Sequence, residues 1–216
     1  MDASSDTAAE KKLAAERAAE LVDDGMAVGL GTGTTVAGLL PALAARELRL
    51  RCVATSPETE ATARELGLPV EPFDQLDRLD IAIDGADQVS ADGWLVKGGG
   101  GAHTREKIVA AAADRFVVIV DSSKLVEEIE PPIPLELSRF GLASTLRELG
   151  AARVRDALPS PDGGVLADYI GEVNEPARVA SWLAAVPGVI EHGLFRPSMV
   201  SEVLVGRGDG VERIEI

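Results

Sequence analysis

The chain has 216 residues, 46% of them hydrophobic, and a formal net charge of −15. This length is sufficient for one well-buried domain, or for a main domain with a smaller second one. The excess of 36 acidic over 21 basic residues disfavours nucleic-acid binding. No stretch approaches the ~20 apolar residues of a membrane span, and the polar, acidic N-terminal segment does not resemble a secretory signal. We therefore expect a cytoplasmic protein without nucleic-acid or membrane partners.

Two rare residue types refine this expectation. The single cysteine, Cys52, excludes an internal disulfide and lies in a strand-like run, where we expect it to be a core residue. Lysine occurs only at positions 11, 12, 97, 107 and 124. An acidic, lysine-poor surface suggests a cytoplasm rich in salt, which is a hypothesis beside the simpler one of an ordinary acidic cytosolic protein.

The first part of the chain alternates helical and strand-like patterns. Ser56 before Pro57 predicts a helix start, and Gly67 its end. Pro41 is expected to distort or interrupt the preceding helix. We expect helices at residues 7–22, 35–45, 56–67 and 104–113, and strands at 26–30, 50–54, 79–83, 94–96 and 116–120. The alternation predicts an α/β fold with a Rossmann-like, mostly parallel sheet and helices on both faces.

The pattern changes after Glu130, where three prolines follow at positions 131, 132 and 134. Extended segments are expected at residues 135–137, 152–155, 164–170 and 188–191, and helices at 141–149 and 176–185. This βαββαβ order predicts a small α+β (ferredoxin-like) domain. The last residues, 200–216, have the pattern of two more strands. We predict a catalytic α/β domain of residues 1–129 with 202–216, and a small domain of residues 130–201.

The first stretch whose residues could bind a ligand runs from Gly29 to Thr35, between a strand and a helix. Glycines let the backbone approach a ligand, and a helix N-terminus offers unpaired N–H groups to an anion. The loop therefore suits a phosphate, although a tight turn without a ligand explains it too. It matches neither the dinucleotide-binding fingerprint nor the Walker loop.

The second stretch is a hydrophobic strand that ends in Asp84 and Asp87. Ligands of parallel α/β sheets bind beyond the carboxyl ends of the strands, so these carboxylates could bind a metal, orient hydroxyls or move protons. Aspartate at a strand end is equally common as a turn residue.

The third stretch joins Lys97 to four consecutive glycines and reaches Glu106 in the first turn of the next helix. Taken singly, Lys97 could be a surface charge and Glu106 a partner of the helix dipole. Together with the second stretch, they place a cation, a flexible glycine loop and three carboxylates within 23 positions, residues 84–106, and the first stretch adds a phosphate-type loop upstream.

Other chemistries lack their sequence signals. The two histidines, His103 and His192, are far apart and suggest no zinc site, and no Gly-x-Ser-x-Gly motif suggests a hydrolase. A Rossmann dehydrogenase is disfavoured by the missing fingerprint. Carboxylate-driven proton transfer on a phosphorylated substrate, without metal or cofactor, is the remaining chemistry.

Seven segments, in order along nearly the whole chain, resemble ribose-5-phosphate isomerase of the A type. They are Lys11-Lys12, Gly31-Thr32-Gly33-Thr34-Thr35, Asp84-Gly85-Ala86-Asp87, Lys97-Gly98-Gly99-Gly100, Thr104-Arg105-Glu106-Lys107, Asp121-Ser122-Ser123-Lys124, and Pro187-Gly188-Val189 with Gly193-Leu194-Phe195. Gln88 and Thr34 stand where the family usually has Glu and Ser. His103 replaces an apolar residue; it could touch the substrate, but we expect it rather to face solvent or to start a helix.

The resemblance implies a cofactor-free isomerase that interconverts ribose 5-phosphate and ribulose 5-phosphate through a cis-enediolate, in the non-oxidative branch of the pentose phosphate pathway. It implies that Glu106 is the base, that Asp84 assists ring opening, and that Asp87 and Lys97 handle O1 and O2. The substrate-binding residues that it implies are Lys11, Thr32, Gly33, Thr34, Thr35, Asp84, Gly85, Ala86, Asp87, Lys97, Gly98, Gly99, Gly100 and Lys124. It also implies a homodimer or homotetramer.

Two rival functions remain. One is action on, or sensing of, another sugar phosphate, as in aminosugar-phosphate deaminases and sugar-responsive regulators. The stretch from Lys97 to Glu106 disfavours this reading. The other is a phosphosugar-binding protein without activity, which the presence of Asp84, Asp87, Lys97 and Glu106 disfavours.

Overall fold

The computed structural model describes residues 3–216. The helices within this range are α1 (Ala3–Ala19), α2 (Thr34–Ala44), α3 (Pro57–Glu65), α4 (His103–Ala112), α5 (Leu142–Leu149) and α6 (Pro176–Ala185). The strands are β1 (Ala27–Leu30), β2 (Arg51–Ala54), β3 (Ile81–Asp84), β4 (Gln88–Ser90), β5 (Leu95–Val96), β6 (Phe116–Asp121), β7 (Leu125–Val126), β8 (Ile133–Leu137), β9 (Ala152–Val154), β10 (Val165–Tyr169), β11 (Val189–His192), β12 (Leu194–Phe195), β13 (Glu202–Arg207) and β14 (Gly210–Glu215).

The chain divides into two compact units. The first comprises the residues up to Ala86, Arg105–Lys124 and Ser198–Ile216, and the second comprises Asp87–Thr104 and Leu125–Pro197. The two sequence-predicted domains differ from these units chiefly in residues 87–104, which they place with the first domain. The domain boundaries expected from the sequence remain a prediction.

The first unit is built on a six-stranded sheet in the order β14-β13-β6-β3-β1-β2. All neighbouring strands are parallel except β13 and β14, which form an antiparallel hairpin at one edge. The predicted α/β class with a mostly parallel sheet is therefore confirmed. The chain returns from the second unit to pair β13 with β6, which periodicity alone could not show.

Helices cover both faces of this sheet. Val28 and Leu30 of β1 belong to a core that contains buried residues of α1 and α2. Gly29 points to the other face, where a Cβ atom would overlap the side chain of Val109 in α4. Cys52 is fully buried in the first core, as predicted, and burial raises the pKa of its thiol to about 12.

The start of α3 and the proline inside α2 were both addressed by the sequence. Ser56 caps α3 by accepting a hydrogen bond from the Thr59 N–H at 3.1 Å, as expected. Of the two effects expected of Pro41, interruption of the helix does not occur, because α2 runs through it to Ala44, while the distortion stays a prediction. A proline inside a helix costs one hydrogen bond, and the burial of Leu39, Leu40 and Leu43 offsets this loss.

The second unit contains the predicted βαββαβ arrangement, with an antiparallel sheet in the order β11-β8-β10-β9. Leu135 of β8, Leu149 of α5 and Leu183 of α6 share one core, so both helices cover the same face. A second small sheet, in the order β12-β5-β4-β7, was missed in part because its strands have only two or three residues. Such strands are too short to show a hydrophobic period. No helix within residues 3–216 has the length and apolar character needed to cross a membrane.

Helix α1 is fixed to the first unit by Glu10. Its carboxylate accepts hydrogen bonds from the Gly208 N–H at 2.9 Å and from the N–H and hydroxyl of Ser122 at 3.0 and 2.7 Å. These bonds, led by the one from Gly208, hold the pKa of Glu10 below its usual value. The helix backbone also lies so close to β13 that a Cβ atom at Gly206 would overlap it at Glu10.

The Glu10→Gln variant is therefore expected to lower the free energy of unfolding by roughly 1–2 kcal/mol at pH 7, because the negative charge and one of the two accepting oxygens are lost. A carboxylate with a lowered folded pKa stabilises above its unfolded pKa of about 4.3, and this contribution disappears as the pH falls through the folded value. The difference between the two proteins should thus shrink below about pH 4.3. Urea unfolding at several pH values measures it, with the exposed Glu16→Gln of the same helix as control. A difference independent of pH would contradict the prediction.

Candidate active site

The order of the six-stranded sheet creates a switch point between β1 and β3. The chain leaves β1 toward β2 on one side, whereas β3 lies on the other side. Ligands of such sheets bind where the connections diverge, beyond the carboxyl ends of the strands. Two of the sequence-predicted stretches follow these two ends, and the Gly31 N–H donates to the Ile83 carbonyl at 3.0 Å. The structure thus brings the glycine-threonine loop and Asp84 together.

Asp84 is held by backbone groups. Its Oδ1 accepts the N–H of Thr32 at 3.0 Å and that of Gly85 at 2.7 Å, and the residue is buried. A Cβ atom at Gly31 would overlap the carboxylate, so only glycine fits there. Gly85 and Ala86 follow in a partly buried turn. This arrangement fixes the direction of the carboxylate before any ligand arrives.

The glycine-threonine loop ends at the N-terminus of α2. Gly33 precedes this helix with φ of 114°, a conformation that favours glycine. The Lys11 ammonium donates to the Thr34 hydroxyl at 3.1 Å and lies 3.8 Å from Asp121. The side chains border a cavity of about 350 Å³ lined by Thr7, Ala8, Lys11, Lys12, Thr34, Thr35 and Gly38. A cation, hydroxyls and a helix N-terminus around one cavity suit an anion such as phosphate.

The remaining loop residue, Thr32, shares a hydrogen bond of 2.8 Å with the Thr55 hydroxyl. Lys124 ends a 3-10 turn that follows β6 and is partly buried. It belongs to the same unit as Lys11 and the glycine-threonine loop.

In the second unit, the structure brings Asp87, Lys97 and the glycine loop together. The Asp87 N–H donates to the Val96 carbonyl at 2.7 Å, and the Asp87 Oδ2 accepts the Gly99 N–H at 2.8 Å. Lys97 is only 2% exposed, and its ammonium lies 5.5 Å from the centre of the Phe195 ring. A buried ammonium over an aromatic face is attracted by the ring. Gly99 and Gly100 are exposed.

Glu106 occupies the first turn of α4 and is 4% exposed. His103 begins this helix, as expected, but it is fully buried, so the prediction of a solvent-facing side chain is wrong. Gly98, with φ of +106°, explains the burial: a Cβ atom there would lie 2.6 Å from Nδ1 of His103. The imidazole therefore packs against the glycine loop. The hydroxyl of Thr104 donates to the buried carboxylate of Glu136, which ties the start of α4 to β8.

Sequence reasoning missed the residues that support the site from other parts of the chain. Phe195 stood in a quoted motif, but nothing in the pattern indicated a contact with Lys97. Arg155 donates to the Gly98 carbonyl at 2.8 Å across 57 positions, and Thr55 lies 23 positions from Thr32. No local signal marks such partners. No group of three His, Cys, Asp or Glu residues that could hold a metal ion occurs in the described part of the chain.

Comparisons with known proteins agree with these features. The model of the family "Ribose 5-phosphate isomerase A (phosphoriboisomerase A)" matches residues 51–210. Ribose-5-phosphate isomerase A of Natronomonas pharaonis is 42% identical over 226 residues, which cover 98% of this chain and 99% of that protein.

Two solved structures have closely similar folds. Ribose 5-phosphate isomerase A from Methanocaldococcus jannaschii is 34% identical, with a TM-score of 0.90 over 95% of this chain and 98% of that one. A D-ribose-5-phosphate isomerase in complex with phospho-erythronic acid is 32% identical, with a TM-score of 0.90 over 95% and 97%. The chain thus belongs to the ribose 5-phosphate isomerase A family, and it is an aldose–ketose isomerase.

Proposed function

We propose that the chain interconverts D-ribose 5-phosphate and D-ribulose 5-phosphate through a cis-enediolate, without metal or cofactor, in the non-oxidative branch of the pentose phosphate pathway. The observation that carries the proposal is Glu106, a carboxylate almost completely removed from water directly after a glycine loop. A base in such a place can exchange a proton with a carbon atom without competition from bulk water.

The proposed proton transfer begins on the open-chain aldose. The Glu106 carboxylate takes the proton from C2, the electron pair forms the C1=C2 bond, and the negative charge develops on O1. Lys97 supplies a preorganised cation for this charge, which is worth most where water is excluded. A proton moves from O2 to O1 with the help of Asp87, and Glu106 returns its proton to C1. The product is the ketose, with the carbonyl at C2.

Ring opening and phosphate binding are assigned to the first unit. Ring opening is assigned to Asp84, whose carboxylate is held in place by two backbone N–H groups at Oδ1. The phosphate group is assigned to Lys11, Thr32, Gly33, Thr34, Thr35 and Lys124. Further substrate contacts are assigned to Gly85, Ala86, Gly98, Gly99 and Gly100. The cavity beside Lys11 and Thr34 supports the phosphate assignment.

The ligand of one relative supports the enediolate. The isomerase that is 32% identical binds phospho-erythronic acid. A sugar acid carries two oxygens in one plane at its carboxylate, as a cis-enediolate does at C1 and C2. We propose that this chain accepts the same shape.

The test is isomerisation of ribose 5-phosphate by the purified protein in heavy water, with and without chelator. The enediolate route lets the abstracted proton exchange on the base, so deuterium is expected at C1 of the ketose, and turnover should be unaffected by chelator. A hydride shift would move hydrogen without deuterium. A ketose that still lacks deuterium after many reversible turnovers, when a proton on the shielded base has had repeated chances to exchange, would contradict the enediolate. No ketose at any salt concentration would contradict the substrate assignment, while a rate that rises with salt would support the high-salt hypothesis.

Self-association into a homodimer or homotetramer is also part of the proposal. Six large apolar side chains of the second unit are exposed: Phe140, Val154, Leu158, Ile170, Trp182 and Ile190. Burying them against a second copy would remove apolar surface from water. Light scattering coupled to size-exclusion chromatography measures the subunit number, and a monomer at micromolar concentration would contradict this part.

A further inference from the structure

One peptide group of the glycine loop is bound at both ends. The carbonyl of Gly98 accepts a hydrogen bond from Nη1 of Arg155 at 2.8 Å. The N–H of the same peptide, that of Gly99, donates to Oδ2 of Asp87 at 2.8 Å. The peptide group therefore links the Arg155 guanidinium directly to the Asp87 carboxylate. A hydrogen bond that polarises the carbonyl also strengthens the N–H as a donor.

Arg155 is itself held in place by Asp168. Nε donates to Oδ2 at 2.9 Å and Nη2 to Oδ1 at 2.6 Å, which is the two-pronged geometry of an arginine–carboxylate pair. Both side chains are mostly buried. The third nitrogen, Nη1, points to the glycine loop and also lies 3.3 Å from the Gly99 carbonyl. The ion pair thus fixes the guanidinium and leaves one nitrogen for the loop.

The backbone conformation of the glycine loop depends on contacts from outside the loop. Gly98 has φ of +106°, which an L side chain rarely adopts, and a Cβ atom at Gly99 would lie 2.8 Å from the Asp87 carboxylate. Gly98 is therefore restricted to glycine, and a side chain at Gly99 would displace the Asp87 carboxylate. Glycine also has the largest choice of backbone conformations, so the loop does not hold this one by local preference. Contacts from outside the loop must select it.

We propose that Arg155 is a positioning residue of the isomerase: through the Gly98–Gly99 peptide it fixes the orientation of the Asp87 carboxylate. Asp168 acts one step further away by fixing Arg155. The proposal rests on the proposed function only in assuming that Asp87 acts on the substrate. It assigns no contact between Arg155 and the sugar.

The test compares Arg155→Met with Arg153→Met in the full-length protein. Arg153 is exposed in β9, two positions before Arg155, and borders the same cavity of about 520 Å³, so its loss removes the same charge without touching the glycine carbonyls. We expect kcat to fall about 10–100-fold in Arg155→Met, as for a misplaced catalytic group, with KM changed much less. Arg153→Met should keep wild-type kcat. Asp168→Asn retains the guanidinium and should show a smaller decrease in kcat. This variant replaces Arg155→Met in the test if Arg155→Met does not fold.

Two further readouts separate positioning from general stabilisation. In an Asp87→Asn background, Arg155→Met should add little to the loss of kcat, because the carboxylate that Arg155 positions is already absent. Independent effects on kcat would multiply and overturn the proposal. With 15N-labelled glycine, the Gly99 amide resonance should shift in Arg155→Met and stay in Arg153→Met. An unchanged resonance would also overturn it.

The outcomes also separate this inference from the proposed function. Wild-type kcat in Arg155→Met, together with a strong loss in Asp87→Asn, would overturn the role of Arg155 and leave the isomerase mechanism in place. Wild-type kcat in Asp87→Asn would overturn both the catalytic role of Asp87 and the inference that depends on it.

Discussion

The Glu106→Gln variant is expected to lose about 10²–10⁴-fold in kcat, the usual contribution of a general base, while its fold remains intact. Glutamine has nearly the volume of glutamate and keeps a hydrogen-bonding oxygen, but its amide does not accept a proton near neutral pH. Since Glu106 is almost completely buried, a smaller side chain would leave a cavity. The resulting loss of stability would then be combined with the loss of the base. The initial rate of ketopentose formation measures the effect, with thermal melting to verify the fold.

A matched control is available in another helix. Glu58 also occupies the first turn of its helix, α3, but it is exposed. Glu58→Gln removes the same favourable charge from a helix N-terminus, worth about 0.3–1 kcal/mol of stability, and should leave kcat at the wild-type value. Retained turnover in Glu106→Gln would contradict the assignment of the base. Wild-type turnover that is lost in Glu106→Gln, while the affinity for ribose 5-phosphate is retained, would exclude a protein that only binds the sugar.

The Gly31→Ala variant is expected to lower kcat/KM about 10²-fold, because the misplacement of a catalytic group by about 1 Å has effects of this size. The added methyl group would occupy the space of the Asp84 carboxylate. The carboxylate must then rotate, which breaks its hydrogen bonds with the N–H groups of Thr32 and Gly85. Overpacking of this kind also destabilises by about 1–3 kcal/mol.

The activity loss must be separated from the stability loss. Gly210→Ala is the control, because a Cβ atom at Gly210 meets open space. Rates are compared at a temperature well below both melting points, where each protein is fully folded. Wild-type kcat/KM in Gly31→Ala would show that the position of Asp84 does not limit the reaction.

Local patterns determined much of the fold. The uninterrupted apolar run of β6 and the Ser56 cap of α3 act within a few residues, so a reader of the sequence can find them. The order of helices and strands then restricts the topology to a parallel sheet followed by a βαββαβ unit. Pro41 shows the limit of local rules, since buried leucines of the same helix outweigh its helix-breaking tendency.

For the candidate site as well, the sequence indicated the motifs but not all of their contacts. Gly31 and Gly98 stand out in the sequence as parts of glycine-rich motifs, and the structure gives each a reason: a Cβ atom at Gly31 would overlap the Asp84 carboxylate, and Gly98 has a positive φ. Their motifs also carry the family resemblance, which assigned roles to Asp84 and Glu106 that remain proposals. Sequence reasoning placed His103 wrongly in part, because its ring is covered by Gly98 nearby and also lies 3.4 Å from the carbonyl of Glu191, which is 88 positions away.

By itself, the sequence determined the class of fold, the family and the segments that bear the chemistry, because hydrophobic periods and glycine-rich loops are local properties. Only the tertiary structure decided which groups hold these segments. The guanidinium of Arg155 reaches Gly98 across 57 positions, and the N–H of Thr32 reaches Asp84 across 52. Such hydrogen bonds depend on how distant strands are brought side by side, and their partners share no spacing that a sequence pattern could display.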